Sequence, residues 1–216
     1  NLFIVADGMG GHQAGDFASN FVVENLVRFF ETPYPERDVH GILKEGIRKV
    51  NRDLYECTSR DPKLNGAGST LVLATIKGSV LYVANIGDSR LYLLREALEQ
   101  ITKDHSYVEE LVAMGKLKRG SRDYLEKKNI ITRAVGVSAQ VDTDLFALKL
   151  KSGDQILMCS DGLSNMVDEL EIEYIIRSED GVESRAKALV DAANRSGGLD
   201  NISVVLVEPQ ISEVSL

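Results

Sequence analysis

The residues of this chain best suited to chemistry are aspartates that close apolar runs. They stand at Asp7-Gly8, at Asp88 after Gly87, at Asp161-Gly162 and at Asp200-Asn201. Any one of these is an ordinary turn, because glycine tolerates positive φ and aspartate bonds its own backbone. The set is more informative. In each of the first three, an apolar run of four or more residues lies just before the acid: Leu2–Ala6 before Asp7, Leu81–Ala84 then Asn85-Ile86 before Gly87-Asp88, and Ile156–Cys159 one serine before Asp161. Strand ends are rigid, so they can hold several carboxylates within the roughly 4 Å spacing of a two-metal site. Carboxylate and carbonyl oxygens suit Mg²⁺ or Mn²⁺ rather than zinc, and the scarcity of Cys and His agrees.

The bulk composition is consistent with that chemistry. The chain has 216 residues, 44% of them hydrophobic, as expected of a globular protein with a sizeable core. Acids outnumber bases 33 to 25 for a net charge of −8, and no dense Lys/Arg cluster favours nucleic acid as a partner. Cys57 and Cys159 lack metal-ligand spacing and read as reduced, mostly buried thiols. No apolar run approaches the ~18 residues of a membrane span and no signal peptide is visible, so the cytoplasm is the expected compartment. The opening Asn1-Leu2-Phe3-Ile4-Val5-Ala6 reads as mid-strand, so the start of the protein is expected upstream.

The elements that must position the acids follow from periodicity. Leu2 to Ala6 is a buried strand entering a glycine-rich turn. Phe17, Phe21, Val22, Leu26, Phe29 and Phe30 recur at helical spacing between Asp16 and Phe30. A second helix follows Pro35, with Val39, Leu43, Ile47, Val50 and Leu54 on one stripe, and ends before Asp61-Pro62. Thr70–Ile76, Val80–Ile86 and Leu91–Leu94 read as an antiparallel meander punctuated at Gly78-Ser79 and Gly87-Asp88, covered on both faces. Residues 106–128 read as a mobile surface flap with a short helix around Val108 to Met114. Strands return at Leu145–Leu150 and Gln155–Cys159. Asp168 with Glu171, and Asp180 with Glu183, read as capping boxes of two helices. The second carries Val182, Ala186, Leu189, Val190 and Ala193 inward and stops at Gly197, before a last strand at Ile202–Val207. The pattern gives one α+β domain over residues 1–216, with helices packed on sheets.

Seven segments in order then resemble the motif set of the type 2C protein phosphatases. They are Asp7-Gly8-Met9-Gly10-Gly11-His12, Gly68-Ser69-Thr70, Gly87-Asp88-Ser89-Arg90, Asp104-His105-Ser106, Ile131-Thr132-Arg133-Ala134-Val135-Gly136, Ser160-Asp161-Gly162 and Asp200-Asn201-Ile202-Ser203. Met9 and His12 place the likeness in the bacterial branch, and it runs from residue 1 to about 208. The resemblance implies a central antiparallel β-sandwich flanked by helices on both sides, in four αββα layers. It implies that Asp7 bridges two Mn²⁺ or Mg²⁺ ions, that the Gly8 carbonyl binds one, and that Asp161 and Asp200 complete the other. Asp88 would help Asp161 hold a third, weaker ion, and 106–128 would be the flap beside the cleft.

The activity it implies is hydrolysis of phosphoserine and phosphothreonine on proteins, by direct attack of a metal-bridging hydroxide and without a phosphoenzyme. Asp7, His12 and Asp161 are the candidate catalytic residues. His12 either gives a proton to the leaving oxygen or is a surface residue after a turn. Phosphorylated proteins, a cognate Ser/Thr kinase among them, are the implied partners, and a monomer is expected. A departure from the family keeps a rival open. The upstream arginine and second-metal carboxylate usual in the family are not in this sequence, so a catalytically impaired metal- or phosphoprotein-binding module is the alternative. A cysteine phosphatase is excluded, since six residues beyond Cys57 and Cys159 stand Lys63 and Asn165 instead of arginine. Asp142-Thr143-Asp144-Leu145-Phe146 lacks the preceding strand and closing hydroxyl of an aspartyl-phosphate site. His105 reads as a turn-fixing residue, His40 as part of a solvated helix face, Arg133 as a structural ion pair, and Tyr82 and Tyr92 as core.

Overall fold

The computed structural model describes residues 1–31, 38–178 and 180–211; Pro35 lies outside them. In chain order the elements are β1 (Leu2–Val5), β2 (Gly8–Met9), α1 (His12–Glu31), α2 (Val39–Arg60), β3 (Gly68–Ser69), β4 (Leu71–Lys77), β5 (Val80–Ile86), β6 (Arg90–Leu94) and β7 (Leu98–Gln100). There follow α3 (Tyr107–Ala113), α4 (Arg122–Lys127), β8 (Asp144–Lys149), β9 (Gln155–Cys159), α5 (Asp161–Ser164), α6 (Glu169–Ile176), α7 (Val182–Arg195) and β10 (Val204–Val207).

Two four-stranded sheets, β1-β4-β5-β8 and β10-β9-β6-β7, carry the core, and every pairing in them is antiparallel. Because successive strand residues point to opposite faces, an apolar strand covered on both sides divides its side chains between two cores. In β4, Leu71 and Leu73 pack beneath α1 and α2 with Ala18, Leu26, Ile47 and Leu54, while Val72 and Ala74 face the other sheet. In β9, Ile156 and Met158 meet that inter-sheet layer, while Leu157 and Cys159 pack under α6 and α7 with Ile172 and Leu189. The layers are therefore helix, sheet, sheet, helix, the four-layer α+β arrangement expected.

Several local expectations are corrected. The strands after Leu71 are not one meander: β5 pairs with β4 and β8, whereas β6 pairs with β7 and β9. The turn between β5 and β6 crosses from one sheet to the other. Gly87 permits the crossing at φ +100°, and a Cβ there would lie 2.8 Å from the Thr70 side chain. The first helix begins at His12, not Asp16. Residues 106–128 hold a second helix, α4, besides the expected α3, and each is opened by a serine whose hydroxyl caps it, Ser106 and Ser121. Asp168 caps α6 by accepting from the Glu171 amide at 2.8 Å. Asp180 does not cap α7; Gly181 occupies that position, and the Asp180 carboxylate accepts from Ser178. His40 lies over the sheet instead of on a solvated face, edge-on to Tyr82 and 3.3 Å from the Phe146 carbonyl.

Candidate functional site

Asp7 follows β1 in the first sheet, and Asp161 follows β9 in the second. The two strands pack against each other across the sandwich, which brings the acids together. Asp7 is held by its backbone. Its amide donates to Thr70 Oγ1 at 3.0 Å, and its carbonyl accepts from the Thr70 amide at 2.8 Å and the Ser69 hydroxyl at 3.0 Å. Thr70 Oγ1 lies 2.7 Å from Ser89 Oγ, so a buried pair of hydroxyls ties the Asp7 turn to the turn carrying Asp88. Gly8 sits tightly against the start of α1, where an added Cβ would lie 2.0 Å from the Gly15 carbonyl oxygen.

The second half of the site is clasped in the same way. The Ser160 hydroxyl accepts from the Ser203 amide at 3.0 Å and donates to the Asn201 carbonyl at 3.2 Å. A Cβ on Gly162 would meet that same carbonyl oxygen at 2.1 Å. The Asp161 turn and the Asp200-Asn201 loop are thus fixed against each other. Asp161 opens the short α5, with one carboxylate oxygen accepting from Asn165 Nδ2 at 3.0 Å. Its other oxygen, Oδ1, is buried without a hydrogen-bond partner.

The electrostatics follow from this crowding. Burial raises the Asp7 carboxyl to about 7, helped by the charges of Asp161 and Asp200. Burial likewise raises Asp161, with Asp200 as the next cause. Asp88, on the segment crossing between the sheets, is pushed up to about 7 by burial and then by Asp161 and Asp104. Three repelling carboxyls in a half-buried place are unfavourable unless protonated or neutralised by a cation. Among the described residues no three His, Cys, Asp or Glu side chains form a ready-made metal cluster. The tight unit is the Asp7–Asp161 pair, with Asp200 on an exposed loop at Coulombic range. An orphaned buried carboxylate oxygen, all-oxygen donors and paired acids nevertheless fit a hard divalent ion.

A cleft of about 150 Å³ joins Asp88 and Asp161 to Tyr124, Lys128, Asn129 and Asn165. Sequence reasoning missed these four residues, which carry no motif of their own. Lys128 is near enough to favour the charged form of Asp161, and Asn165 also reaches Asn129 Oδ1 at 3.3 Å. Arg90 is taken up by Asp104, which accepts from Nε at 3.0 Å and Nη2 at 2.7 Å, and by the Tyr92 hydroxyl at 2.9 Å. His105 fixes a turn as expected, its Nδ1 accepting from the Gly87 amide at 3.1 Å. Arg133 pairs with Asp144 at 3.0 Å. Cys159 is fully buried, and burial pushes its thiol up to about 12. The backbone of His12 opens α1; its side chain lies outside the described residues.

The sequence profile of protein phosphatase 2C matches residues 1–197. The chain belongs to the protein phosphatase 2C family. A serine/threonine phosphatase, stp, of Listeria monocytogenes is 40% identical over 220 residues, covering 98% of this chain and 86% of the relative. Among solved structures, the Mycobacterium tuberculosis serine/threonine phosphatase PstP/Ppp superposes with a TM-score of 0.86 at 35% identity, covering 95% of this chain and 86% of that one. The catalytic domain of the serine/threonine protein phosphatase PstP in complex with two manganese ions gives a TM-score of 0.85 at 35% identity, with the same coverages. Within this protein phosphatase 2C chain, the motifs quoted from the sequence converge from both sheets on one edge of the sandwich.

Proposed function

We propose that this protein is a metal-dependent serine/threonine protein phosphatase in which Asp7, the Gly8 carbonyl, Asp161 and Asp200 hold two Mn²⁺ or Mg²⁺ ions. The single observation that supports the ligand assignment is the Asp7–Asp161 pair, one acid at the end of a strand of each sheet, with one Asp161 oxygen buried and unpartnered. When bound, such ions lower the pKa of water and neutralise charge on phosphoryl oxygens. The side chains of this chain supply the frame. Thr70, Ser69 and Ser160 hold the acid-bearing backbones, and Asn165 orients Asp161. Asp88 with Asp161 is the proposed site of a weaker third ion, and Asn165, Lys128 and Tyr124 edge the cleft between it and the flap.

His12 is retained as the proposed proton donor on its place in the chain alone. The whole of residues 1–216 is read as one catalytic domain, with 106–128 its flap. The substrates are phosphorylated proteins, among them a Ser/Thr kinase, met by a monomer in a reducing cytoplasm to which two free thiols are suited. Among the described residues no helix is long and apolar enough to cross a membrane. The test is phosphate release from a phosphothreonine peptide. Turnover is expected with Mn²⁺ or Mg²⁺ and none after exhaustive chelation; activity that survives chelation overturns the reading.

A further inference from the structure

A second concavity lies away from the paired acids. It is a groove of about 860 Å³ between α2 and residues 139–143, with the half-buried ring of Phe29 in its lining. Its α2 side presents Lys44, Arg48, Lys49 and Arg52, at positions i, i+4, i+5 and i+8, which share one helix face. Glu45 and Asp142 are the acids in the lining. Lys49 is held by Asp53 at 2.6 Å, whereas Lys44, Arg48 and Arg52 are exposed and form no ion pair among the described residues. The four cations are spread over nine residues of sequence, and the helix gathers them on one face of a chain whose net charge is −8.

The far wall is built. Asn51, 1% exposed beneath α2, accepts from the Gly136 amide at 2.8 Å and donates to the Ser138 carbonyl at 3.0 Å. That buried amide pins the loop leading to residues 139–143, and Val141 packs into the core below. The groove is therefore preformed, so a ligand entering it does not have to order its walls first.

We propose that this groove docks an acidic segment of the phosphoprotein substrate, an extended stretch bearing Asp or Glu, at a surface separate from the paired acids. The inference rests on the phosphatase reading for its substrate class. The guanidinium forks of Arg48 and Arg52 match carboxylate geometry, and Lys44 adds a third positive contact. Phe29 and Val141 supply the apolar part of the lining.

The experiment uses one phosphothreonine peptide in two forms, with and without an appended run of acidic residues, and p-nitrophenyl phosphate as the small substrate. The acidic form is expected to show a KM about tenfold lower at low salt, with the advantage shrinking as salt screens it. Lys44→Gln/Arg48→Gln/Arg52→Gln should erase that advantage while leaving p-nitrophenyl phosphate turnover and melting temperature unchanged. Equal KM values for the two peptides in the parent protein overturn the proposal, as does an advantage that survives in the triple variant. If p-nitrophenyl phosphate itself is not hydrolysed, the phosphatase reading has failed. The groove is then judged by fluorescence anisotropy with the labelled, unphosphorylated acidic segment, which must bind the parent more tightly than the triple variant. Binding to phosphatidylglycerol vesicles without binding to that segment assigns the face to a lipid surface and overturns the proposal.

Discussion

The crowding of acids at the sandwich edge makes a prediction that runs against the usual effect of mutating a functional site. Asp7→Asn should stabilise the chelated protein at high pH. The Asp7 carboxyl keeps its proton in the fold up to about pH 7, against an ordinary value of 3.8. The folded state therefore binds more protons than the unfolded state between roughly pH 4 and 7, so stability falls as pH rises through that window. The loss is absent below pH 4 and complete above pH 7. At ~1.4 kcal/mol per pKa unit, a shift of about three units is worth ~4 kcal/mol at face value. The group is half-buried, so screening by water reduces this to about 2 kcal/mol. For a chain of this size, 2 kcal/mol moves the melting temperature by roughly 4–8 °C.

Differential scanning fluorimetry in a chelator, at pH 4 and pH 8, measures it. Parent and Asp7→Asn should melt together at pH 4, and the variant should melt several degrees higher at pH 8. Saturating Mn²⁺ should reverse the order, because the parent gains binding energy that the variant lacks. A chelated Asp7→Asn protein that melts lower than the parent at pH 8 would refute the claim that Asp7 is held against repulsion.

Calorimetric titration should rank the remaining carboxylates: Asp161→Asn loses tight Mn²⁺ binding, whereas Asp88→Asn keeps it and slows turnover. Thr70→Val removes the hydroxyl that accepts from the Asp7 amide and leaves the Ser89 hydroxyl without it; urea denaturation should show a loss of about 1–3 kcal/mol. His12→Gln should slow phosphothreonine hydrolysis more than p-nitrophenyl phosphate hydrolysis, since only the poor leaving group needs a proton; equal slowing removes His12 from that role. Iodoacetamide should leave activity intact, because Cys159 is buried, burial holds its thiol in the protonated form, and no step uses a thiolate.

Sequence made some parts of this molecule readable and hid others for definite reasons. Strands such as β4 and β9 were legible because each is apolar on both faces, and the structure shows both faces covered. The crossing at Gly87 was not, because a glycine-aspartate turn looks alike whether it reverses a hairpin or changes sheet; only the partners of β6 decide. Asp168 and Asp180 both precede a glutamate at capping distance, yet only Asp168 caps, since the backbone enters α7 through Gly181. The acids of the site declared themselves by type and by their place at strand ends. Asn165, Lys128 and the buried Asn51 did not, because a single amide or lysine gains its meaning only from what tertiary packing sets beside it.

The same packing explains why the acids are where they are. Asp7 belongs to one sheet and Asp161 to the other, so neither hydrogen-bonded sheet alone defines their separation. The inter-sheet layer of Val5, Val72, Leu91, Ile156 and Met158 does. Close packing there resists small displacements, and side chains at the ends of β1 and β9 inherit that rigidity. The backbone clasps at Thr70 and Ser160 remove the remaining freedom of each turn. Two carboxyls that repel are thereby kept from moving apart, and the fold accepts a local destabilisation that a cation can relieve. Stability without metal and affinity for metal are opposed at this seam, and substitutions that relax the first should weaken the second.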